Sequence, residues 1–445
     1  MKKSNISFSG KLFYSLLFLT VVIIMSSFPD DAGYEAPMPP IQQADADFPT
    51  PGSRFKREEI HLGQHAESRN FTWRVTSPTA SSQTYLPNAI HNVGIYDLNN
   101  VERVQVMIDR WGGHDKTSEK KIRINKNDWL LVPEPAGTEL RPELYMFQGN
   151  PSVDIPLEQL RAGVNYLQAS CSQLEPWGWG QWGAYSYLFR FYFDEEGPEY
   201  PKGSISFPES GSRIDENPVI VVSPDSGKRT ITEVSVFAHV YDYDYDGDGY
   251  YDEWQGAWHQ HNVLGTFAEW ENHIGTKSEG PYRFQWDTSW LPDQPDGTIE
   301  ICALITDNWN YVYSAAVENI SLAERPYSVK LYPTTELPPK FVPRVGEVKT
   351  AVIDVPDDAP LEDAMEARLH LRTWNGTNRD HGDFTFNGET IKGKGLKNFY
   401  AYTFHEIPLE AIKHGRNEVT FASNTYHHGL EVLWPGPALV IRYKK

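Results

Sequence analysis

The sequence predicts an all-β protein of three sandwich modules, the first and third of which share one pattern. Three observations predict it. Short apolar-alternating runs recur between Gly, Pro, Asn and Asp clusters, among them Val104–Ile108, Val234–Ala238, Ile299–Ile305, Ala367–Leu371 and Ala438–Tyr443. Such runs with frequent turn signals are the mark of sandwiches. Helical periods are scarce. Finally, Ile155-Pro-Leu-Glu-Gln-Leu-Arg-Ala-Gly-Val-Asn165 returns as Ile407-Pro-Leu-Glu-Ala-Ile-Lys-His-Gly-Arg-Asn417, identical at six of eleven positions. Two copies with an unrelated stretch between them indicate a duplicated module and not a solenoid.

The N-terminus comes first. Lys2, Lys3 and Lys11 precede an apolar stretch from Leu12 to Met25, then Ser26 and Ser27. This is the pattern of a secretory signal over residues 1–27, with an uncleaved anchor as the alternative. The stretch is shorter than the ~20 apolar residues of a membrane span, so a secreted, extracellular or periplasmic protein without stable membrane insertion is expected. Residues 28–54 hold Pro29, Pro37, Pro39, Pro40, Pro49 and Pro51 with few large apolar side chains, and read as an extended spacer. The net charge of −20 opposes binding to a phosphate backbone and excludes a nucleic-acid partner. Cys171 and Cys302 fall in different modules, so buried thiols are expected rather than a bridge.

The first module spans residues 55–197 and the third 324–445. The offset of the repeat carries Trp182 onto Trp434 and Arg190 onto Arg442 without a gap. Upstream, Trp111-Gly-Gly113 answers Trp374-Asn-Gly376, and Ile122-Arg-Ile-Asn125 answers Phe384-Thr-Phe-Asn387. The amphipathic strand must pack against a second sheet. The order of strand, Asn turn, Pro-Leu-x-x-Leu-x-x-Gly-x-Asn and strand resembles the galactose-binding-like jelly-roll modules of secreted bacterial polysaccharide-degrading systems. The resemblance implies two jelly-roll β-sandwiches and a polysaccharide or other glycan as partner. It specifies fold better than activity, because jelly rolls host lectins, enzymes and structural modules alike.

The middle module, 198–323, differs. Tyr282-Arg-Phe-Gln-Trp-Asp-Thr-Ser, Pro295-Asp-Gly-Thr-Ile-Glu-Ile-Cys-Ala-Leu-Ile-Thr-Asp307 and Val317-Glu-Asn-Ile-Ser-Leu322 resemble bacterial immunoglobulin-like domains. The resemblance implies a spacer beside binding or catalytic modules.

Within it lies Asp242-Tyr-Asp244-Tyr-Asp246-Gly247-Asp248-Gly-Tyr-Tyr-Asp252-Glu253, which fits the twelve-residue EF-hand-like calcium loop. Ca²⁺ takes six to eight hard oxygens, and alternate residues of a tight loop turn their carboxylates inward. Asp242, Asp244, Asp246 and Glu253 are the expected side-chain ligands, with Gly247 at the sharp turn and Asp248 supplying its carbonyl. The preceding segment reads as strand, so a structural Ca²⁺ loop is expected without the helical hand. The competing reading is a solvated acidic turn. The insertion from Tyr250 to Gly280 carries His259, His261 and His273 without strict zinc spacing, and surface or packing histidines are expected.

The candidate ligand contacts lie in loops. Arg110-Trp111-Gly-Gly-His114 and Pro176-Trp177-Gly-Trp179-Gly-Gln-Trp182 place rings between glycines, where a dense local core cannot form. A flat indole suits the C–H face of a pyranose, and Arg and His can bond its hydroxyls. Trp177 and Trp179 have no counterparts in the third module and are the preferred ligand rings; Trp182 and Trp434 read as fold elements. The third module offers Trp374, His381, Tyr426, His427 and His428 for a polyhydroxyl or proton-transfer site, against a merely polar loop.

Carbohydrate binding without catalysis is the expected function. A polysaccharide lyase or glycoside hydrolase is the alternative, with His427 or His428 as the base. A structural or adhesive surface protein is the third reading. Nucleophile-elbow, zinc-protease, phosphate-loop and dinucleotide motifs are missing.

Overall fold

The structure, a computed structural model, describes residues 48–61, 73–79, 88–95, 97–114, 116–138, 140–173, 180–194, 196–225, 227–259, 268–376, 382–395, 399–426 and 429–445. All belong to one compact unit, Tyr34–Lys445. Among them the regular structure is strand with short 3₁₀ turns. No described helix is long and apolar enough to cross a membrane.

The protein is all-β, with sheets packed as sandwiches around three separate apolar cores. In the first, Val104, Val106, Ile108, Phe189 and Phe191 meet Ile122, Ile124, Leu167 and Ala169. These residues alternate along strands Val101–Trp111, Gln181–Phe193, Thr117–Ile124 and Gly163–Gln173, so one face of each sheet is dry. The middle core joins Val234, Val236, Ile301, Ala303 and Ile305 to Ile220, Val222 and Phe284. The last joins Leu369, Leu371, Leu439 and Ile441 to Ala351, Ile353, Val419 and Phe421.

The first two sandwiches are not separate beads. Strand Arg54–His61 pairs with Gln181–Phe193 on one side and with Tyr311–Leu322 of the middle sandwich on the other. One sheet therefore runs continuously through both. The end of the Pro-rich stretch is packed as well. Phe48 is buried, and its ring stacks on Trp254 at 4.7 Å and meets Phe237 edge-on at 5.0 Å. Cys171 and Cys302 are buried, unbridged thiols.

The two repeat segments hold the same local bonds. Pro156 and Pro408 each lead one 3₁₀ turn. Asn165 and Asn417 each donate to the carbonyls four and two residues back, Arg161 and Gly163 in one case and Lys413 and Gly415 in the other.

The insertion docks on the first sandwich. Trp258 is buried against Met107, Leu188 and Ala268. Its backbone N–H donates to Asn150 Oδ1 at 2.8 Å, and its carbonyl accepts from Asn150 Nδ2 at 2.6 Å. The segment around Tyr145 and Phe147 enters the core of the last sandwich, with Tyr145 4.7 Å from the Trp434 ring. The three sandwiches thus meet at one junction.

Candidate functional sites

The acidic loop lies at that junction. Strand Ile231–Tyr241 runs out into it and Asp252–Trp254 returns antiparallel, Val240 facing Glu253. The loop is a hairpin end, as the strand-like flank predicts. One carboxylate oxygen each from Asp244, Asp246, Asp248 and Glu253 lies within 4.8 Å of the others. This cluster of acidic residues has the composition and spacing to hold a metal ion.

The ring of carboxylates starts two residues later than the motif suggests. Asp242 stands outside it, accepting from the Tyr243 N–H at 2.8 Å and the Tyr245 hydroxyl at 3.3 Å. Asp248 contributes its side chain instead of its carbonyl, which accepts the Ala136 N–H at 2.5 Å. The motif contains two glycines; Gly247 has Glu253 at the sixth-to-twelfth spacing, whereas the same spacing from Gly249 falls on Gln255. Both have positive φ, +79° at Gly247 and +96° at Gly249. Neither admits a Cβ: at Gly249 it would collide with the carbonyl of Ala136, and at Gly247 with the carbonyl of Gln148.

Burial pushes the Asp244 carboxyl up to about 6, although Arg372 and the Gly249 and Gly247 N–H groups pull the other way. Burial likewise pushes Asp242 up to about 7. Crowded buried carboxylates favour a proton or a cation over bare charge. Around the loop, a Cβ at Gly247 would meet Arg372, and the Tyr243 hydroxyl donates to the Gly436 carbonyl at 2.9 Å.

From Arg372 a buried polar chain crosses the junction. Its guanidinium donates to Gln148 Oε1, and Gln148 Nε2 donates to Asp109 Oδ1 at 2.9 Å. His259 Nδ1 lies 2.9 Å from Asp109 Oδ2. Burial opposes charge on His259, but the Asp109 carboxylate outweighs it and the imidazole is held above its ordinary range. Tyr185 and Tyr400, both half-buried, meet His259 edge-on at 5.4 and 5.6 Å. His273 bonds Thr276 Oγ1 at 2.7 Å, and no histidine joins a metal-holding group among the described residues. His261 lies outside them.

The expected sugar contacts are scattered. Arg110 is 1% exposed; its Nη1 sits 3.2 Å from Glu134, which also takes the buried Lys120 at 2.8 Å. The guanidinium covers the Phe147 ring at 4.9 Å. It therefore faces inward and is not on a rim, because the Phe147 segment closes over the end of its strand. Trp111 is buried with its edge toward the half-buried His114. Trp374 is half-buried opposite Tyr400, and Tyr426 is exposed. Trp182 and Trp434 are both buried. Trp177, Trp179, His381, His427 and His428 lie outside the described residues.

A second surface carries no motif of its own. On the outer face of the first sandwich, Arg123 projects away from Ile122 and Ile124 and lies over the Trp129 ring, 4.3 Å from its centroid. Its Nε and Nη2 donate to Gln168 Oε1 at 3.0 and 2.6 Å. Next along the strand is Tyr166, 42% exposed, under Arg161 at 5.7 Å. Gln168 is flanked across the sheet by Ile90, and Tyr166 by Asn92. In the last sandwich the repeat places Glu418, Thr420 and Thr385 where these have Tyr166, Gln168 and Arg123. There Arg416 is neutralised by Glu336 and Glu418. The readable signal was the alternation of Lys121 and Arg123 with buried isoleucines; the partners on the other strand were not readable.

No family model and no curated relative matches the chain. Solved structures do. A β-porphyranase of glycoside hydrolase family 86 from the human gut bacterium Bacteroides plebeius is 11% identical, over 51% of this chain and 35% of that one, at a TM-score of 0.22. The fibronectin(III)-like modules of Clostridium thermocellum CbhA are 11% identical over 56% of this chain and 95% of theirs, at 0.19. A β-glucuronidase from Faecalibacterium prausnitzii is 10% identical over 62% and 47%, at 0.20. The chain spans about a third of the length of the family 86 structures. Likenesses at these scores carry no inference about activity.

Proposed function

We propose that the chain is a secreted, non-catalytic carbohydrate-binding protein that takes its ligand on the outer face of the first sandwich. In this reading residues 1–27 are the signal, 28–54 the spacer, 55–197 and 324–445 jelly rolls, and 198–323 the immunoglobulin-like spacer. The observation that carries the proposal is the fixed pairing of Arg123 with Trp129 beside Gln168 and Tyr166. The exposed Tyr166 ring offers a pyranose an apolar face, while the guanidinium held on Trp129 and the neighbouring amide meet the hydroxyls. The same positions in the last sandwich carry no aromatic ring, so the reading assigns this face to function and not to the fold. The ion of the acidic loop is Ca²⁺ in this proposal, because the donors are all hard oxygens.

Affinity electrophoresis against a panel of soluble polysaccharides tests the proposal. Retardation by at least one polymer, abolished in Trp129→Ala with an unchanged melting temperature, supports it. Retardation by none, or equal retardation of the variant on every polymer, overturns it.

The junction favours one second reading, an enzyme. Asp109 orients His259, and two phenols flank it in the manner of a proton-transfer site. Release of shortened chains from a polysaccharide, lost in Tyr400→Phe, would establish that reading in place of the first.

A further inference from the structure

We infer that the ligand of the Arg123–Trp129 face is an anionic polysaccharide, one that carries carboxylate or sulfate groups. The inference rests on the carbohydrate reading above and narrows it.

The chain has 40 basic and 60 acidic residues, so an exposed cation has acidic groups available to it. Several outer arginines use them: Arg103 pairs with Asp154, Arg213 with Asp296, Arg416 with Glu336, and Arg442 with Glu366. Arg123 and Arg161 do not. Among the described residues, the Arg123 guanidinium bonds only the neutral amide of Gln168, and the Arg161 guanidinium only the carbonyl of Val164 at 3.0 Å. Lys121, on the same face, reaches Ser172 Oγ at 3.4 Å and Glu119 at 3.8 Å. Among the described residues, Glu119 is the one carboxylate paired with a cation of this face, and it is itself engaged by the Ser172 hydroxyl at 2.7 Å.

Arg123 is also immobilised. The indole beneath it and the amide beside it hold the planar fork in one orientation, so little side-chain freedom is left to lose on binding. Its Nη1 makes no bond among the described residues. A guanidinium held flat, with free donors and no counter-charge, is built for bidentate contact with a carboxylate or sulfate. A purely neutral sugar would leave the two guanidinium groups of the face uncompensated. Carboxylate and sulfate share this chemistry, and two polymers separate them.

The test uses the full mature chain, titrated calorimetrically with polygalacturonate, with carrageenan and with neutral agarose oligosaccharide. At least one of the two anionic polymers is expected to bind more tightly than the neutral one and to weaken as NaCl rises from 20 to 500 mM. Arg123→Gln should lose roughly tenfold or more in that affinity and most of its salt dependence. Arg123→Lys should keep the salt dependence and lose affinity, because the charge remains and the fork does not. Whichever anionic polymer prevails identifies carboxylate or sulfate as the recognised group. Trp129-dependent binding that is equal for neutral and anionic polymers and indifferent to Arg123→Gln overturns this inference and leaves the carbohydrate reading standing. Absence of any Trp129-dependent binding overturns both. Matching thermal melts of the variants exclude misfolding as the cause.

Discussion

The side-chain amide of Asn387 donates to the side-chain oxygen of Asn417 at 2.8 Å, and Asn387 also bonds the backbone around Asn417, donating to the Ala411 carbonyl and accepting from the Glu418 N–H. Asn387 is in the left-handed region, with φ of +49°. Asn125 and Asn165 make the same bond at 2.6 Å in the first sandwich. The pair thus fastens a strand turn to the start of the neighbouring strand of the same sheet.

Asn417 is fully buried, and its two ends satisfy the Lys413 N–H together with the Lys413 and Gly415 carbonyls. Asn417→Ala is expected to destabilise the protein by about 3 kcal/mol, the cost of orphaning several buried polar groups. Urea denaturation measures this. A loss below about 0.5 kcal/mol would show that water replaces the clamp without penalty.

The acidic loop makes a register prediction. Asp244→Asn is expected to remove most of the stabilisation by Ca²⁺, and Asp242→Asn to leave it intact, because only Asp244 belongs to the carboxylate ring. At Ca²⁺ one hundred times its dissociation constant, the wild type should gain about 2.7 kcal/mol. Thermal melts with and without a chelator check both variants. The reverse order of effects would restore the register beginning at Asp242.

His370 supplies a pH dependence. Burial, helped by Arg368 and His405, holds its imidazole down at about 3. Tyr402 bonds its Nδ1 at 2.9 Å. The folded chain keeps this ring neutral while the unfolded chain protonates it below about 6.5. The unfolded state therefore binds more protons between those values. Stability contributed by the neutral ring is present above about pH 6.5 and is lost progressively as pH falls toward 3. His370→Gln should lower the slope of unfolding free energy against pH by close to one proton between pH 6 and 4. An unchanged slope would assign the acid sensitivity to other groups.

Local grammar was legible in particular places. The Asn turn followed by Pro-Leu and Gly-x-Asn marked both asparagine clamps, because such turns are closed by bonds within the segment and one adjoining strand. Buried Trp182 and Trp434 followed from their shared place in the repeat. The acidic loop was readable as a cluster, and its register was not. Arg110 looked like a rim residue because its strand ends beside Gly112 and Gly113, yet Phe147, far along the chain, covers it.

By itself the sequence determined the all-β character, the strand alternation that makes one face of each sheet dry, and the short-range bonds of the recurring turn. These follow from backbone geometry and side-chain order over a few residues. Tertiary structure alone decided that Arg54–His61 joins two sandwiches into one sheet, that Asp244 and not Asp242 opens the carboxylate ring, and that Arg123 meets Trp129 and Gln168. Each depends on which distant segment occupies the space beside a strand, and alternation says only that a face is covered or open, never by what.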